Sequence, residues 1–145
     1  MNRDFVEMLS ALSETGVEFL VVGAHAVAVH ARPRATGDLD LWVRSTPENA
    51  ARVVSALTRF GAPLHDITRG DFEAPNRVVQ LGVVPNRIDL LTSITGVTFE
   101  GAWPRRKNVI LEGIAVPILG REDLILNKRA TARPQDRADL ESLGA

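Results

Sequence analysis

Apolar residues recur at helical spacing in several stretches of the chain. Near the N-terminus four of them fall on one face of a helix: Phe5, Met8, Leu9 and Leu12. The triplet Thr46-Pro47-Glu48 is typical of a helix start, with threonine as the N-cap and proline at the first helical position, and Gly61 marks the end of that helix. Helices are therefore expected at residues 3–15, 24–31, 46–60, 121–131 and 134–143.

Short β-branched and apolar runs between these helices predict strands. They lie at residues 17–22, 37–43, 78–84, 87–92, 109–111 and 115–119, whereas residues 63–75 show no regular pattern. The two runs on either side of Pro85-Asn86 predict a hairpin or at least two neighbouring strands. Helices and strands in this order predict an α/β (α+β) fold, a mixed β-sheet flanked by helices, in one domain over residues 1–145.

Composition narrows the class of protein. Apolar residues make up 45% of the 145 residues, but no run approaches the roughly 20 apolar residues of a membrane span. The chain has no cysteine and a formal charge of −1, which excludes a disulfide framework and argues against a general nucleic-acid coat protein. We therefore expect a cytoplasmic protein with no secretory signal and no membrane partner. Arginine supplies 15 of the 17 basic residues, and arginine suits phosphate contacts.

The stretch GDLDLWV, at residues 37–43, places acid at alternate positions of an otherwise apolar strand. Residues two apart on a strand share a face, so Asp38 and Asp40 point one way while Leu39 and Leu41 point into the core. Two carboxylates this close repel each other unless a cation lies between them. Because Mg²⁺ prefers carboxylate and phosphate oxygens, the pair is a candidate magnesium site, although an edge strand with one wet face is the alternative.

Two further features favour a catalytic site. Asp89 in RIDLLTSI alternates with apolar residues in the same way, on a strand predicted to lie beside the first. Gly23 follows a buried strand and begins a helix, where backbone N–H groups can bind a phosphate. Three acids facing such a turn could hold two metal ions for phosphoryl or nucleotidyl transfer, with Asp89 removing a proton from the attacking hydroxyl.

With these residues in view, the sequence resembles the nucleotidyltransferase superfamily of the polymerase-beta type. The stretches that carry the resemblance are VVGAHAVAVHARPRATGDLDLWV and RIDLLTSI. Together with the ending EDLILNKRATARPQDRADLESL, they resemble small bacterial nucleotidyltransferase-like proteins and the nucleotidyltransferase toxins of abortive-infection systems. The resemblance covers nearly the whole chain.

The resemblance implies roles for individual residues. Asp38, Asp40 and Asp89 match the metal-binding acids. The positions matching the nucleotide-binding part of the site are Gly23, Ala24, Arg34, Thr36 and Lys128. The chain departs from the pattern at Ala24, where the family usually has glycine or serine, so a hydroxyl contact to phosphate is missing. Asp136 or Asp139 matches a further acid, and a solvated helix position is the alternative for Lys128.

The expected function is a Mg²⁺- or Mn²⁺-dependent transfer of a nucleoside monophosphate from an NTP. The resemblance implies an RNA acceptor, with tRNA foremost, or a partner protein, in a toxin–antitoxin or defence setting. The small size suggests that the acceptor or a second subunit completes the cleft, and the expected partners are a second copy of the chain or a toxin–antitoxin partner. The competing hypothesis is a non-catalytic nucleotide-binding or partner-binding module with the same fold.

Overall fold

The computed structural model describes residues 1–33 and 36–145, so the predicted site residue Arg34 lies outside the described residues. Within them, six α-helices and six strands are present. The helices are α1 (Arg3–Glu14), α2 (Gly23–His30), α3 (Pro47–Phe60), α4 (Phe99–Ala102), α5 (Arg121–Thr131) and α6 (Pro134–Ser142). The strands are β1 (Phe19–Val22), β2 (Asp38–Val43), β3 (Val78–Leu81), β4 (Arg87–Leu91), β5 (Lys107–Leu111) and β6 (Ile114–Ile118).

All six strands form one mixed sheet in the order β3-β4-β2-β1-β6-β5. The two sequence hairpins, β3–β4 and β5–β6, are antiparallel and lie at opposite edges. In the centre β2 runs antiparallel to β1 and parallel to β4, and β1 runs parallel to β6. The predicted mixed sheet flanked by helices is confirmed.

The core lies on both faces of the central strands. Strand β1 is buried along its whole length, as its apolar run predicts. On β2 the alternation is clear, since Leu39 and Leu41 have no exposed surface whereas Asp38 and Asp40 are half-buried. Helix α1 covers the sheet with its apolar stripe and packs along α3. Its buried residues include all four that predicted the helix: Phe5, Met8, Leu9 and Leu12.

Helix α3 begins and ends where the sequence predicts. The Thr46 side chain accepts a hydrogen bond from the backbone N–H of Asn49, and Pro47 occupies the first helical turn. Gly61 ends the helix in the left-handed region, at φ 93°. Asn49 is itself buried, and its side-chain amide bonds the backbone of Glu18 and of Arg44. The start of α3 is thereby tied to the ends of β1 and β2.

Several predicted boundaries differ from the structure. The hairpin strand expected at 78–84 ends at Leu81, because Gly82 has φ 75° and the following residues form the turn. The irregular stretch 63–75 contains a single 3₁₀ turn, Arg69–Phe72. Sequence periodicity missed α4 and the 3₁₀ turn Trp103–Arg105, since four and three residues are too few to show a helical period. No helix in the described part of the chain is long and apolar enough to span a bilayer.

Candidate active site

The parallel pairing of β2 with β4 brings the three predicted acids together. Asp40 lies directly opposite Asp89 in the register, and Asp38 lies opposite Arg87. One carboxylate oxygen from each of Asp38, Asp40 and Asp89 can be chosen so that all three lie within 4.8 Å of one another. The acids therefore share one face of the sheet, where a single cation can contact all three.

The turn from β1 into α2 lies against this triad. Gly23 begins α2 with φ 67°, and the preceding residue, Val22, pairs with Asp40 across the sheet. A Cβ atom on Gly23 would overlap Oδ2 of Asp40 and lie 3.1 Å from its Cγ. Glycine is therefore required here both for the backbone conformation and for the close approach of the carboxylate. Because Gly23 lies this close to Asp40, the start of α2, which is the positive end of the helix dipole, is next to that acid.

The acids differ in their electrostatics. Burial, followed by repulsion from Asp38 and Asp89, raises the pKa of Asp40 to about 7. Burial also disfavours the charged form of Asp38, but hydrogen bonds, led by that of the Thr36 hydroxyl, outweigh burial and lower its pKa. The Thr36 hydroxyl donates to Oδ1 of Asp38 at 2.8 Å. A cation beside Asp40 would therefore favour the charged form of this carboxyl group.

Arg87 already supplies one positive charge to the triad. Its Nη2 donates to Oδ2 of Asp38 at 3.0 Å and to Oδ2 of Asp89 at 3.1 Å, and its Nε donates to Oδ1 of Asp89 at 3.0 Å. Sequence reasoning missed this residue. A signal was available, since Arg87 precedes Asp89 by two residues on the same strand and so shares its face.

The C-terminal helices contribute a buried ion cluster. Lys128 is 3% exposed, and its Nζ lies 3.2 Å from Oδ1 of Asp136 and 3.0 Å from Oδ2 of Asp139. Asp136 also accepts bonds from the Thr131 hydroxyl and from the Arg133 backbone and guanidinium. Although burial opposes its ionisation, these bonds, led by that of Arg133, hold the pKa of Asp136 well below its usual range. Lys128 is therefore not a solvated helix residue.

The triad, the glycine turn and the lysine line one cleft of about 650 Å³. Residues from β3, β4, α5, the segment after β4 and the connection between α5 and α6 complete its wall, among them Val78, Arg87, Thr95 and Arg133. Of the sequence-predicted residues, Gly23, Asp38, Asp40, Asp89 and Lys128 line this cleft. Thr36 donates a hydrogen bond to Asp38, and Ala24 is buried. Asp136 and Asp139 pair with Nζ of Lys128.

The comparison with protein-family models identifies the chain. Residues 1–145 match the family described as nucleotidyl transferase of unknown function (DUF2204). The chain belongs to this family. The prediction that the chain is a nucleotidyltransferase family member is therefore confirmed. A search of curated proteins gives no match.

Solved nucleotidyltransferase structures share the fold. The lincosamide antibiotic adenylyltransferase LnuA, bound to lincomycin, superposes with a TM-score of 0.63 at 14% identity, covering 100% of this chain and 97% of that one. An inferred nucleotidyltransferase from Thermotoga maritima, TM1012, gives 0.60 at 16% identity, covering 98% and 89%. ANT(2")-Ia, in complex with adenylyl-2"-tobramycin, gives 0.56 at 15% identity, covering 97% and 83%. At these identities the likeness concerns the fold.

The residues of this nucleotidyl transferase family member fit a divalent cation. All three groups of the triad are carboxylates, the oxygen donors that Mg²⁺ and Mn²⁺ accept. Burial and, after it, repulsion from Asp38 and Asp89 raise the pKa of Asp40, and a cation beside it would offset both effects. The cleft also has room beside the acids for further oxygen ligands from a substrate. Asp38, Asp40 and Asp89 are accordingly the residues that would hold the ion.

Proposed function

We propose that this protein is a Mg²⁺- or Mn²⁺-dependent enzyme that transfers a nucleoside monophosphate from an NTP to a hydroxyl group of an RNA or protein acceptor. The observation that carries the proposal is the convergence of Asp38, Asp40 and Asp89 within 4.8 Å, in a cleft that also contains the start of α2. Membership of a nucleotidyl transferase family supports the same chemistry.

Each residue of the site has a proposed part in the transfer. The two divalent cations expected from the sequence, bound by Asp38, Asp40 and Asp89, would supply positive charge to the phosphate under attack. The acceptor oxygen forms a bond to the α-phosphorus while the bond to the β-phosphate oxygen breaks, and pyrophosphate leaves. Asp89 takes the proton of the acceptor hydroxyl. It is 6% exposed and faces the cleft, which suits a group that must exchange a proton with a bound substrate.

The nucleotide phosphates are proposed to lie between the start of α2 and the late helices. The backbone N–H groups after Gly23 offer an anion site, and the methyl group of Ala24 leaves these as the donors of that turn. Lys128, which lines the same cleft, provides positive charge through Nζ. Thr36 orients Asp38 by its hydrogen bond. Arg34 is proposed, from the resemblance alone, to assist in binding the nucleotide.

The acceptor and the biological setting follow from the resemblance to abortive-infection toxins. An RNA end, foremost that of tRNA, or a partner protein is the proposed acceptor, in a toxin–antitoxin or defence system. A formal charge of −1 favours the protein slightly, because an enzyme that grips RNA by its backbone alone needs a more basic surface. The acceptor, an antitoxin or a second subunit would complete the cleft.

The test is a labelling experiment. The protein is incubated with each α-labelled NTP, Mg²⁺ and a bacterial lysate, and RNA, protein and small-molecule fractions are then separated. The small-molecule fraction is included because LnuA and ANT(2")-Ia are described with antibiotics. Asp40→Asn is the inactive variant. Asp66→Asn is the matched control, since the side chain of Asp66 is 92% exposed and is not part of the cleft wall.

We expect label in the RNA or the protein fraction with the wild type and with Asp66→Asn, and none with Asp40→Asn. Label confined to small molecules would refute the proposed acceptor but keep the transfer. If no fraction is labelled, and Mg²⁺ with an NTP fails to raise the melting temperature, the competing hypothesis of a non-catalytic module bound to a partner replaces the proposal.

A further inference from the structure

Arg87 occupies the position in which the proposed site needs a cation. Its guanidinium bridges Asp38 and Asp89 through three hydrogen bonds of 3.0 to 3.1 Å. These bonds use both oxygens of Asp89 and one oxygen of Asp38. A metal ion bound by the same two side chains has to share or take over those oxygens. The guanidinium and the ion therefore compete for one set of acceptors.

We propose that Arg87 is an internal counter-ion that gives up Asp38 and Asp89 when a divalent cation binds, and that its guanidinium then binds the nucleotide phosphates. The inference rests on the proposed function, since it assumes that the triad binds metal. It assigns Arg87 a part that no sequence motif indicated. It also predicts that metal and nucleotide bind more tightly together than separately.

Repulsion within the triad explains why such a counter-ion is needed. Three carboxylates within 4.8 Å repel one another, and burial adds to the cost of their charge. A planar guanidinium can bond two carboxylates at once, which an ammonium group does less well. Arg87 lies opposite Asp38 across the strands and two residues before Asp89 along its own strand. The register of β2 and β4 therefore places it between the two acids.

The cleft offers a released guanidinium a clear destination. The Arg87 side chain is 31% exposed, so it has a path towards the cleft that it already lines. Lys128 lines the same cleft, but it is 3% exposed and is already paired with Asp136 and Asp139. Since phosphate oxygens are strong acceptors for guanidinium, the triphosphate replaces the carboxylates that Arg87 loses.

Exchange of partners couples the two ligands. A cation alone must break the bonds of Arg87 without providing a new acceptor for it, so binding of the cation alone is weakened. When nucleotide is present, Arg87 regains bonds of similar strength. By thermodynamic linkage, nucleotide raises the affinity for metal by the same factor by which metal raises the affinity for nucleotide.

The test is titration calorimetry with Mn²⁺ alone, with a set of α,β-methylene NTP analogues alone, and with both together, at a pH above the raised pKa of Asp40. Four proteins are compared: wild type, Arg87→Gln, Arg87→Lys and Arg69→Gln. The last is a matched control for loss of one arginine, because Arg69 pairs with Glu73 at the surface and does not line the cleft. Circular dichroism establishes that each variant is folded.

We expect Arg87→Gln to bind Mn²⁺ alone at least about tenfold more tightly than the wild type, because the cation no longer has to displace the three charge-assisted hydrogen bonds of the guanidinium. The nucleotide analogue should raise the Mn²⁺ affinity of this variant by a smaller factor than that of the wild type, because only the direct contact between the ion and the phosphates remains. Arg87→Lys, which keeps the charge but not the bridge, should fall between the two and still tests the idea if Arg87→Gln does not fold. Arg69→Gln should match the wild type.

Equal Mn²⁺ affinity in the wild type and both Arg87 variants would overturn the inference while leaving the metal site intact. Weaker Mn²⁺ binding in Arg87→Gln would also overturn it, because Arg87 would then support the ion instead of competing with it. If neither the wild type nor either Arg87 variant binds Mn²⁺, the proposed metal site fails, and the inference fails with it.

Discussion

Gly23 and Asp40 are in such close contact at the centre of the sheet that no side chain fits between them. Gly23 has φ 67° at the start of α2, and a Cβ atom at this position would overlap Oδ2 of Asp40. The turn that offers backbone N–H groups and the strand that offers carboxylates are therefore in direct contact. Any side chain at residue 23 must displace the acid on which the proposed metal site depends.

Gly23→Ala is expected to damage both the fold and the metal site. The left-handed backbone costs an alanine about 1–2 kcal/mol, and the overlap with Asp40 costs about 1–3 kcal/mol more. Gly61→Ala is the matched control, because Gly61 has φ 93° but open space where its Cβ would lie. Urea denaturation gives the free energy of unfolding, and the rise in melting temperature with Mn²⁺ reports the site. If the two variants lose the same amount of stability, the close contact between residue 23 and Asp40 has no energetic cost and the prediction is wrong.

The raised pKa of Asp40 predicts how stability depends on pH in the metal-free protein. With a pKa of about 7 in the folded state against an ordinary value of 3.8 in the unfolded chain, the folded protein retains a proton that the unfolded chain loses. This contribution to stability is complete below about pH 4 and disappears as the pH rises through 7, at up to about 1.4 kcal/mol per pH unit. Chemical denaturation of the wild type and of Asp40→Asn in EDTA, between pH 4 and pH 7, measures this contribution to the free energy of unfolding. If both proteins show the same pH dependence between pH 4 and 7, the assignment to Asp40 is wrong.

Loss of the buried lysine is expected to be costly even without substrate. Lys128→Met leaves Asp136 and Asp139 buried without their ammonium partner, and breaking a buried pair in this way costs about 3–5 kcal/mol. The chain offers a matched control in Lys107→Met, because Lys107 is exposed on an edge strand and such surface changes stay within about 0.5 kcal/mol. Thermal and urea unfolding compare the two. If Lys128→Met is as stable as Lys107→Met, the ion pairs of Lys128 with Asp136 and Asp139 do not stabilise the fold.

Asn49 links α3 to the central strands, so its loss should lower stability and leave the site unchanged. Asn49→Ala removes three hydrogen bonds to the backbone of Glu18 and Arg44 and leaves buried groups unpaired, at about 1–3 kcal/mol. Asn108→Ala, at an exposed position of β5, is the control. We expect Mn²⁺ binding in the folded variant to equal that of the wild type. Weaker Mn²⁺ binding would mean that the hydrogen bonds of Asn49 also help to position the acids of the metal site.

Much of this site was predictable because strand alternation is a local property. The pattern of GDLDLWV assigns Asp38 and Asp40 to one face, and RIDLLTSI does the same for Asp89, whatever the rest of the chain does. Helix α3 was likewise predictable from its cap and its terminal glycine. The short α4 was not, since its boundaries depend on packing, including that of Phe99 against Trp42.

By itself, the sequence determined the class of fold, the strands that carry the acids and the glycine at the start of α2, because periodicity and turn chemistry act over a few residues. Only the tertiary structure decided that Asp40 pairs with Asp89 and Arg87 with Asp38, since the register between strands separated by more than forty residues is set by packing of the whole sheet. The same holds for Lys128. Its charge is buried because α5, which carries it, packs against α6, which carries its partner Asp136. No local sequence pattern predicts that contact.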